Sequence, residues 1–171
     1  MKYGAIAFFL LLNTVLVAQE LTILEDASSV DFVFLDGDVK GTLSDFKFTG
    51  KIDLSNIELS QFSGSVATST IDTNNWLRSR HLKGNKFFNA KSYPRLLFSS
   101  NTTSLEGDTI VVSGQLTMKG ITKDAVFRFT RNDKKLIGKA RINTQDYNLV
   151  IYKERERNFV KITIAMNYIN G

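Results

Sequence analysis

Apolar and polar positions alternate with a period of two along most of this chain, and helical spacing is nearly absent. In Val30-Asp31-Phe32-Val33-Phe34 the aromatic residues stand two apart. The same holds in Phe46-Lys47-Phe48-Thr49-Gly50-Lys51-Ile52 and in Ala125-Val126-Phe127-Arg128-Phe129-Thr130. Alternate residues of a strand share a face, so each pair sets two rings on one side of a sheet. Residues 38–42, 61–70, 95–101, 109–118, 136–144 and 158–168 are further strand candidates. Asp36-Gly37-Asp38, Glu106-Gly107-Asp108 and Asn132-Asp133 are hairpin signals between them. Short strands at regular spacing, linked by tight turns, predict an antiparallel meander closed as a barrel or packed as a sandwich. No Pro-, Gly- or Ser-rich linker and no internal repeat divides the chain, which reads as a single domain.

The stretch from Asp72 to Pro94 breaks the alternation. Asp72 or Thr73 can cap a helix in which Trp76, Leu77, His81 and Leu82 lie near helical spacing, and Gly84 can end it. Asn85 can cap a second short turn carrying Phe87 and Phe88, and Tyr93-Pro94 forces the backbone extended again. A helical insert of this kind between strands is a natural lid across one barrel end.

The first residues read as a targeting signal. Met1-Lys2 makes a short positive start, Ala5 to Leu12 is apolar, and Leu16-Val17-Ala18 places a small residue before Gln19. This predicts a secretory signal peptide, residues 1–18, cut after Ala18 to leave a mature domain of 19–171. An uncleaved anchor needs about 20 apolar residues, and Asn13 and Thr14 interrupt a shorter stretch. Export predicts a periplasmic or secreted protein that does not span a membrane once cleaved. Without Lys2, the 22 basic residues become 21 against 17 acidic ones, a net charge of +4. The signs are interspersed, as in Lys153-Glu154-Arg155-Glu156-Arg157. A nucleic-acid binder gathers its basic residues on one stripe, so that class is not expected. The charge serves solubility, or at most a weak attraction to anionic lipid surfaces. There is no cysteine; an exported domain of this size builds its core without disulfides, and the attachment point of a bacterial lipoprotein is missing.

Candidate catalytic chemistry is sparse, and no enzymatic activity, cofactor or metal is expected. His81 is the single histidine, and without cysteine a transition-metal site lacks its usual ligands. No Gly-x-Ser-x-Gly elbow occurs; Phe62-Ser63-Gly64-Ser65-Val66 is not that motif. Asp72 fits a helix cap and Asp146 a turn or strand start better than an acid–base pair. Gly114 and Gly120 lack the spacing and the following helix of a phosphate loop, and read as bulges or close backbone approach.

Several motifs stand together in order: Val39-Lys40-Gly41-Thr42 before Phe46 to Gly50, then Ser69-Thr70-Ile71-Asp72-Thr73, Arg80-His81-Leu82-Lys83 and Lys86-Phe87-Phe88-Asn89-Ala90. Tyr93-Pro94 leads into Leu97-Phe98-Ser99-Ser100, and Val112 to Lys123 carries a G-x-L-T-x-K-G-x-T-K stretch. From about Val30 to the C-terminus the chain resembles the YceI-like family of bacterial lipid- or polyisoprenoid-binding proteins. It departs where Ser79 stands in place of the usual Asp before His81-Leu82, and in a plainer entry strand before Val39.

The resemblance implies an all-β fold, an eight-stranded antiparallel lipocalin-like β-barrel with a short helical insert near residues 73–90. It also implies a pocket for an isoprenoid, quinone-like or fatty-acyl lipid, and leaves room for a homodimer. Barrel physics agrees: about eight strands leave an interior for packed side chains or one small ligand. The candidate cavity residues are Phe32, Phe34, Phe46, Phe48, Phe87, Phe88, Phe98, Leu116, Phe127 and Phe129. For each ring, lining a cavity and filling the core remain equal readings. An amphiphilic ligand needs headgroup donors near the mouth, for which Arg78, Arg80, His81 and Tyr147 are candidates, against a reading of the arginines as solvated surface groups. The alternative function is a filled barrel whose role lies on its surface, with Lys153 to Arg157 on a late hairpin as its contact.

Overall fold

The computed structural model describes residues 20–170; the expected signal segment and its cleavage site lie outside them. One antiparallel sheet contains β1 (Leu21–Phe34), β2 (Val39–Leu43), β3 (Lys47–Phe48), β4 (Ser63–Ala67), β5 (Arg95–Glu106), β6 (Thr109–Met118), β7 (Ile121–Asn132), β8 (Lys135–Asn143) and β9 (Phe159–Asn170). Across the sheet they run β2-β1-β9-β8-β7-β6-β5-β4-β3. The two outermost strands are consecutive in the chain, so the curl that makes the barrel brings the edges together through residues 44–46. The expected all-β barrel is the fold observed, with nine strands where eight were expected. Asp45 adopts a left-handed backbone (φ 52°), which divides the run from Val39 to Phe48 into β2 and the short β3.

Closure of the barrel is shared between backbone and side chain. The Leu21 N–H donates to the Ile52 carbonyl at 2.9 Å. Farther along, β1 bulges, its register against β9 jumping between Leu24 and Ser29. The bulge turns Glu25 toward β3, where its carboxylate accepts the Phe48 N–H at 2.8 Å and the Lys47 ammonium at 3.0 Å. Those donors, the Phe48 amide first, hold the Glu25 carboxyl below its usual range. The bulge also explains why β1 starts at Leu21, well before Val30: Leu21–Leu24 pair with Asn167–Asn170 on its far side.

The alternation read from the sequence reappears as an inside and an outside. In β7, Ala125, Phe127 and Phe129 are buried while Val126, Arg128 and Thr130 are exposed; in β6, Ile110, Val112, Leu116 and Met118 are buried. Gly114 lies at the register shift between Ser100 and Thr102, with the Ser99 carbonyl 2.3 Å from where a Cβ would stand. Gly120 (φ 75°) and Lys119 (φ 52°) form the β6–β7 turn, the left-handed pair that a two-residue hairpin needs.

Helix α1 (Trp76–Lys83) occupies the expected insert, but its cap is Asn75, whose side chain accepts from the Arg78 N–H at 3.0 Å. Asp72 is not the cap because its backbone pairs with Thr42 of β2 (2.8 and 3.1 Å). Asn85 caps no second helix: the Phe87 and Asn89 amides fold back to the Gly84 carbonyl as turns. Asp146 lies in a turn, as its sequence context predicts, and a neighbour supplies the cap. Asn143 performs that role for the 3-10 segment Thr144–Tyr147, accepting from the Gln145 N–H at 3.0 Å. Residues 153–157 are part of a long loop rather than a hairpin, with a 3-10 turn at Arg155–Arg157.

Antiparallel order gathers four connections at one barrel end: the β1–β2 turn, the insert 68–94, the β6–β7 turn and the loop 144–158. No described helix is long and apolar enough to cross a membrane.

Candidate ligand cavity

The strands enclose a cavity of about 230 Å³ whose wall is apolar except at Ser63, Ser65, Arg78 and Thr144. All ten apolar residues named from the sequence, Phe32 through Phe129, stand on this wall. Rings follow one another around it. Phe48 meets Phe62 edge-on at 6.5 Å, Phe62 tilts on Phe129 at 5.0 Å, Phe129 on Phe127 at 6.2 Å, and Phe127 meets Phe98 edge-on at 4.9 Å.

The rings leave space because glycines on neighbouring strands receive them. Phe129 is paired with Gly138 and Phe32 with Gly41. A Cβ on Gly138 would stand 2.3 Å from Phe129 Cε1, and one on Gly41 would stand 2.3 Å from Phe32 Cζ. Each ring therefore lies along the wall over its neighbour's backbone instead of projecting into the lumen.

At the mouth, Leu82, Phe87 and Phe88 of the insert and Leu149 and Ile151 of the long loop line the cavity together. Ser79 anchors α1: its hydroxyl accepts from the Thr73 N–H at 2.9 Å, donates to Asp72 Oδ1 at 3.2 Å and lies 3.1 Å from Thr73 Oγ1. This buried web is satisfied by a small hydroxyl beside a carboxylate. Ser79→Ala is expected to cost about 1–2 kcal/mol and to speed amide exchange across α1, read by hydrogen-exchange mass spectrometry. Exchange unchanged across α1 would show that Ser79 does not hold the lid.

The long loop is organised around Asn158, fully buried. Its Oδ1 accepts the Ile151 and Tyr152 amides (2.9 and 3.0 Å), and its Nδ2 donates to the Tyr152 and Glu154 carbonyls (2.8 and 2.7 Å). Lys119 ties loop to insert, donating to the Asn148 and Lys86 carbonyls at 3.1 and 3.2 Å. Two forked ion pairs hold the loop's outer side. Arg157 meets Asp36 at 3.1 and 2.9 Å, and Arg155 meets Asp146 at 2.7 and 2.9 Å.

The arginine hydrogen bonds hold both aspartates below the usual carboxylate range. A carboxyl depressed in the folded state adds stability above its unfolded pKa of about 3.9 and loses it as the pH falls through the lower folded value. Exchange of residues 148–158, corrected for intrinsic rates, is expected to stay constant from about pH 7 to 5 and to rise below about pH 4. A flat profile to lower pH would show that the ion pairs contribute nothing to the loop.

The four headgroup candidates separate. Arg78 reaches the wall, with Nε donating to Thr73 Oγ1 and Nη2 to the Thr73 carbonyl, both at 3.0 Å. Two of its five donors are thereby used, and the remaining guanidinium edge is available at the mouth. Arg80 and His81 are exposed and lie off the wall, because the helical turn that sends Arg78 and Leu82 inward sends them outward. Tyr147 is buried in the core rather than placed at the mouth; burial, with Asp146 and Asp124 adding, pushes its phenol up to about 12. Among the described residues, no three His, Asp or Glu side chains gather into a metal-sized cluster. The wall also includes residues outside the ten candidates, among them Phe62, Leu149, Ile151 and Met166. Alternation in Phe62-Ser63-Gly64-Ser65-Val66 carried the signal for the first; the loop residues have no periodic signal.

Known proteins resemble the chain at both levels. The protein YceI of Escherichia coli O6:H1 is 33% identical over 98 residues, which make up 57% of this chain and 49% of that protein. The chain thus spans about half the length of that relative. BcnA of Burkholderia cenocepacia superposes with a TM-score of 0.76 at 19% identity, covering 85% of this chain and 98% of that one. A polyisoprenoid binding domain from Saccharophagus degradans gives 0.60 at 14% identity, covering 91% and 100%. Those two structures share the barrel architecture. A family description, the YceI-like domain, matches residues 21–168, nearly all that the structure describes, and the chain belongs to that family.

Proposed function

We propose that this protein is an exported bacterial binding protein that holds a long apolar lipid, of the isoprenoid, quinone or fatty-acyl type, in its barrel without transforming it. The observation that carries the reading is the cavity: about 230 Å³ bounded by apolar side chains, with polar atoms confined to four residues. An engineered apolar void of about 150 Å³ stays dry and binds benzene, so an unfilled apolar interior of this size favours an apolar guest. The same void weighs against the filled barrel, whose side chains would have to close it. Each 100 Å² of tail surface buried contributes about 2.5 kcal/mol, so a tail of several isoprene units outweighs an association cost of at least about 4 kcal/mol. Arg78 offers its guanidinium edge to a polar headgroup at the mouth. The likeness to the polyisoprenoid binding domain supports the ligand class, and the Met1–Ala18 pattern supports export to the periplasm or beyond.

Native mass spectrometry on gently purified protein tests the reading. The expected result is an excess mass of several hundred daltons, lost on denaturation and recovered in organic solvent. An empty protein that takes up no added quinone, isoprenoid or fatty amide would sink it.

A further inference from the structure

Charge on this protein is concentrated in one place. The insert 68–94 contains Arg78, Arg80, Lys83, Lys86 and Lys91 against the single acid Asp72. Outside it, residues 20–170 hold sixteen basic and sixteen acidic side chains, so the net +4 of the described chain sits entirely on the insert. None of the five cations joins an ion pair among the described residues. Beside them lie large apolar side chains open to solvent: Trp76 is 72% exposed and Leu77 49% on α1, with Val150 at 53% and Ile151 at 40% on the long loop. Trp76, Leu77 and Arg80 share the helix face turned away from the cavity, since Arg78 and Leu82 take the inner one. Both elements border the cavity mouth, and Lys119 fastens one to the other.

We propose that this end of the barrel docks on an anionic bilayer surface, with Trp76, Leu77, Val150 and Ile151 seated at headgroup depth and the insert's cations on lipid phosphates. A tryptophan with aliphatic neighbours inside a basic field matches the interface on both counts: aromatic rings favour headgroup depth, and each cation near an anionic surface adds attraction. The mouth then faces the membrane, the side from which a water-insoluble lipid has to enter. That purpose rests on the lipid-binding reading; the docking contact does not.

Trp76 is the chain's single tryptophan, so its fluorescence reports the contact directly. The full chain is mixed with phosphatidylglycerol vesicles or with phosphatidylcholine vesicles, neither containing isoprenoid. Expected with the anionic vesicles are co-sedimentation and a blue shift of Trp76 emission, both reversed by about 0.5 M salt. The N-terminal run, with its Lys2, is common to every sample, so the difference between two charge-reversal triples isolates the contact made by the insert. Combining Arg80→Glu, Lys86→Glu and Lys91→Glu, all exposed positions, should weaken that binding on the order of a hundredfold. The matched triple Arg131→Glu, Lys134→Glu and Lys139→Glu, exposed and away from the mouth, should leave it within about threefold. No blue shift with the anionic vesicles, or equal loss in both triples, overturns the proposal. A blue shift without vesicles that depends on protein concentration also overturns it, in favour of a second copy on this face. Because the vesicles carry no isoprenoid, a docking failure leaves the cavity reading standing, and an empty cavity leaves the docking result standing.

Discussion

Phe127→Ala is expected to lower stability by about 3–5 kcal/mol, the range for removing a buried aromatic ring. Phe127 is 2% exposed, meets Phe98 edge-on and tilts on Phe129. Such aromatic pairs add about 0.5–1.5 kcal/mol beyond burial. Its strand is hydrogen-bonded on both sides, to β6 and β8, so the backbone cannot collapse into the gap. A domain's whole stability is about 5–15 kcal/mol, so this one change consumes a large part of it. Urea unfolding is the measurement: the midpoint should fall while the slope stays constant. A loss below about 1 kcal/mol would mean that the ring borders the void too loosely to carry packing energy.

Gly138→Val should act on the cavity as much as on stability. Phe129 Cε1, Cζ and Cδ1 lie 2.3, 2.5 and 2.7 Å from where the new Cβ would stand. Phe62 and Phe127 already pack against the ring, and the cavity it borders is the open space into which it can move. Overpacking of this kind costs about 1–3 kcal/mol, and a ring swung inward occupies the volume reserved for a guest. Lipid retained per protein, read by native mass spectrometry, is therefore expected to fall about tenfold or more, each 1.4 kcal/mol of lost burial being tenfold in affinity. Normal uptake at normal stability would show that the ring finds a resting place outside the lumen and that glycine is not what keeps the cavity open.

The two substitutions divide what can be read along the chain from what cannot. That Phe127 and Phe129 share a face follows from their spacing, as it does for Phe32 with Phe34 and Phe46 with Phe48. The concentration of charge between Asp72 and Pro94 is likewise open to a reader of the sequence, although interspersed signs elsewhere hide it in the total. The lid helix is legible as a break in alternation, yet its cap is not. Asp72, Thr73 and Asn75 are all capping residues, and only the pairing of Asp72 with Thr42 removes it from contention.

The period-two strands, the tight turns between them, the insert and the face on which each aromatic ring lies are legible along the chain, because those properties depend on residues within a few positions of one another. The folded barrel alone settles whether the rings fill the interior or line it. That outcome depends on register: Gly138 comes opposite Phe129 and Gly41 opposite Phe32, and in both cases the glycine receives the ring. The folded barrel likewise settles that Arg157 clamps Asp36 from 121 positions away and that Glu25 closes the barrel seam through a bulge. A strand's own pattern tells which way its side chains point, but not which residue of the next strand they will meet. That residue is set by how the whole sheet pairs and curls, and the space left for a ligand is set with it.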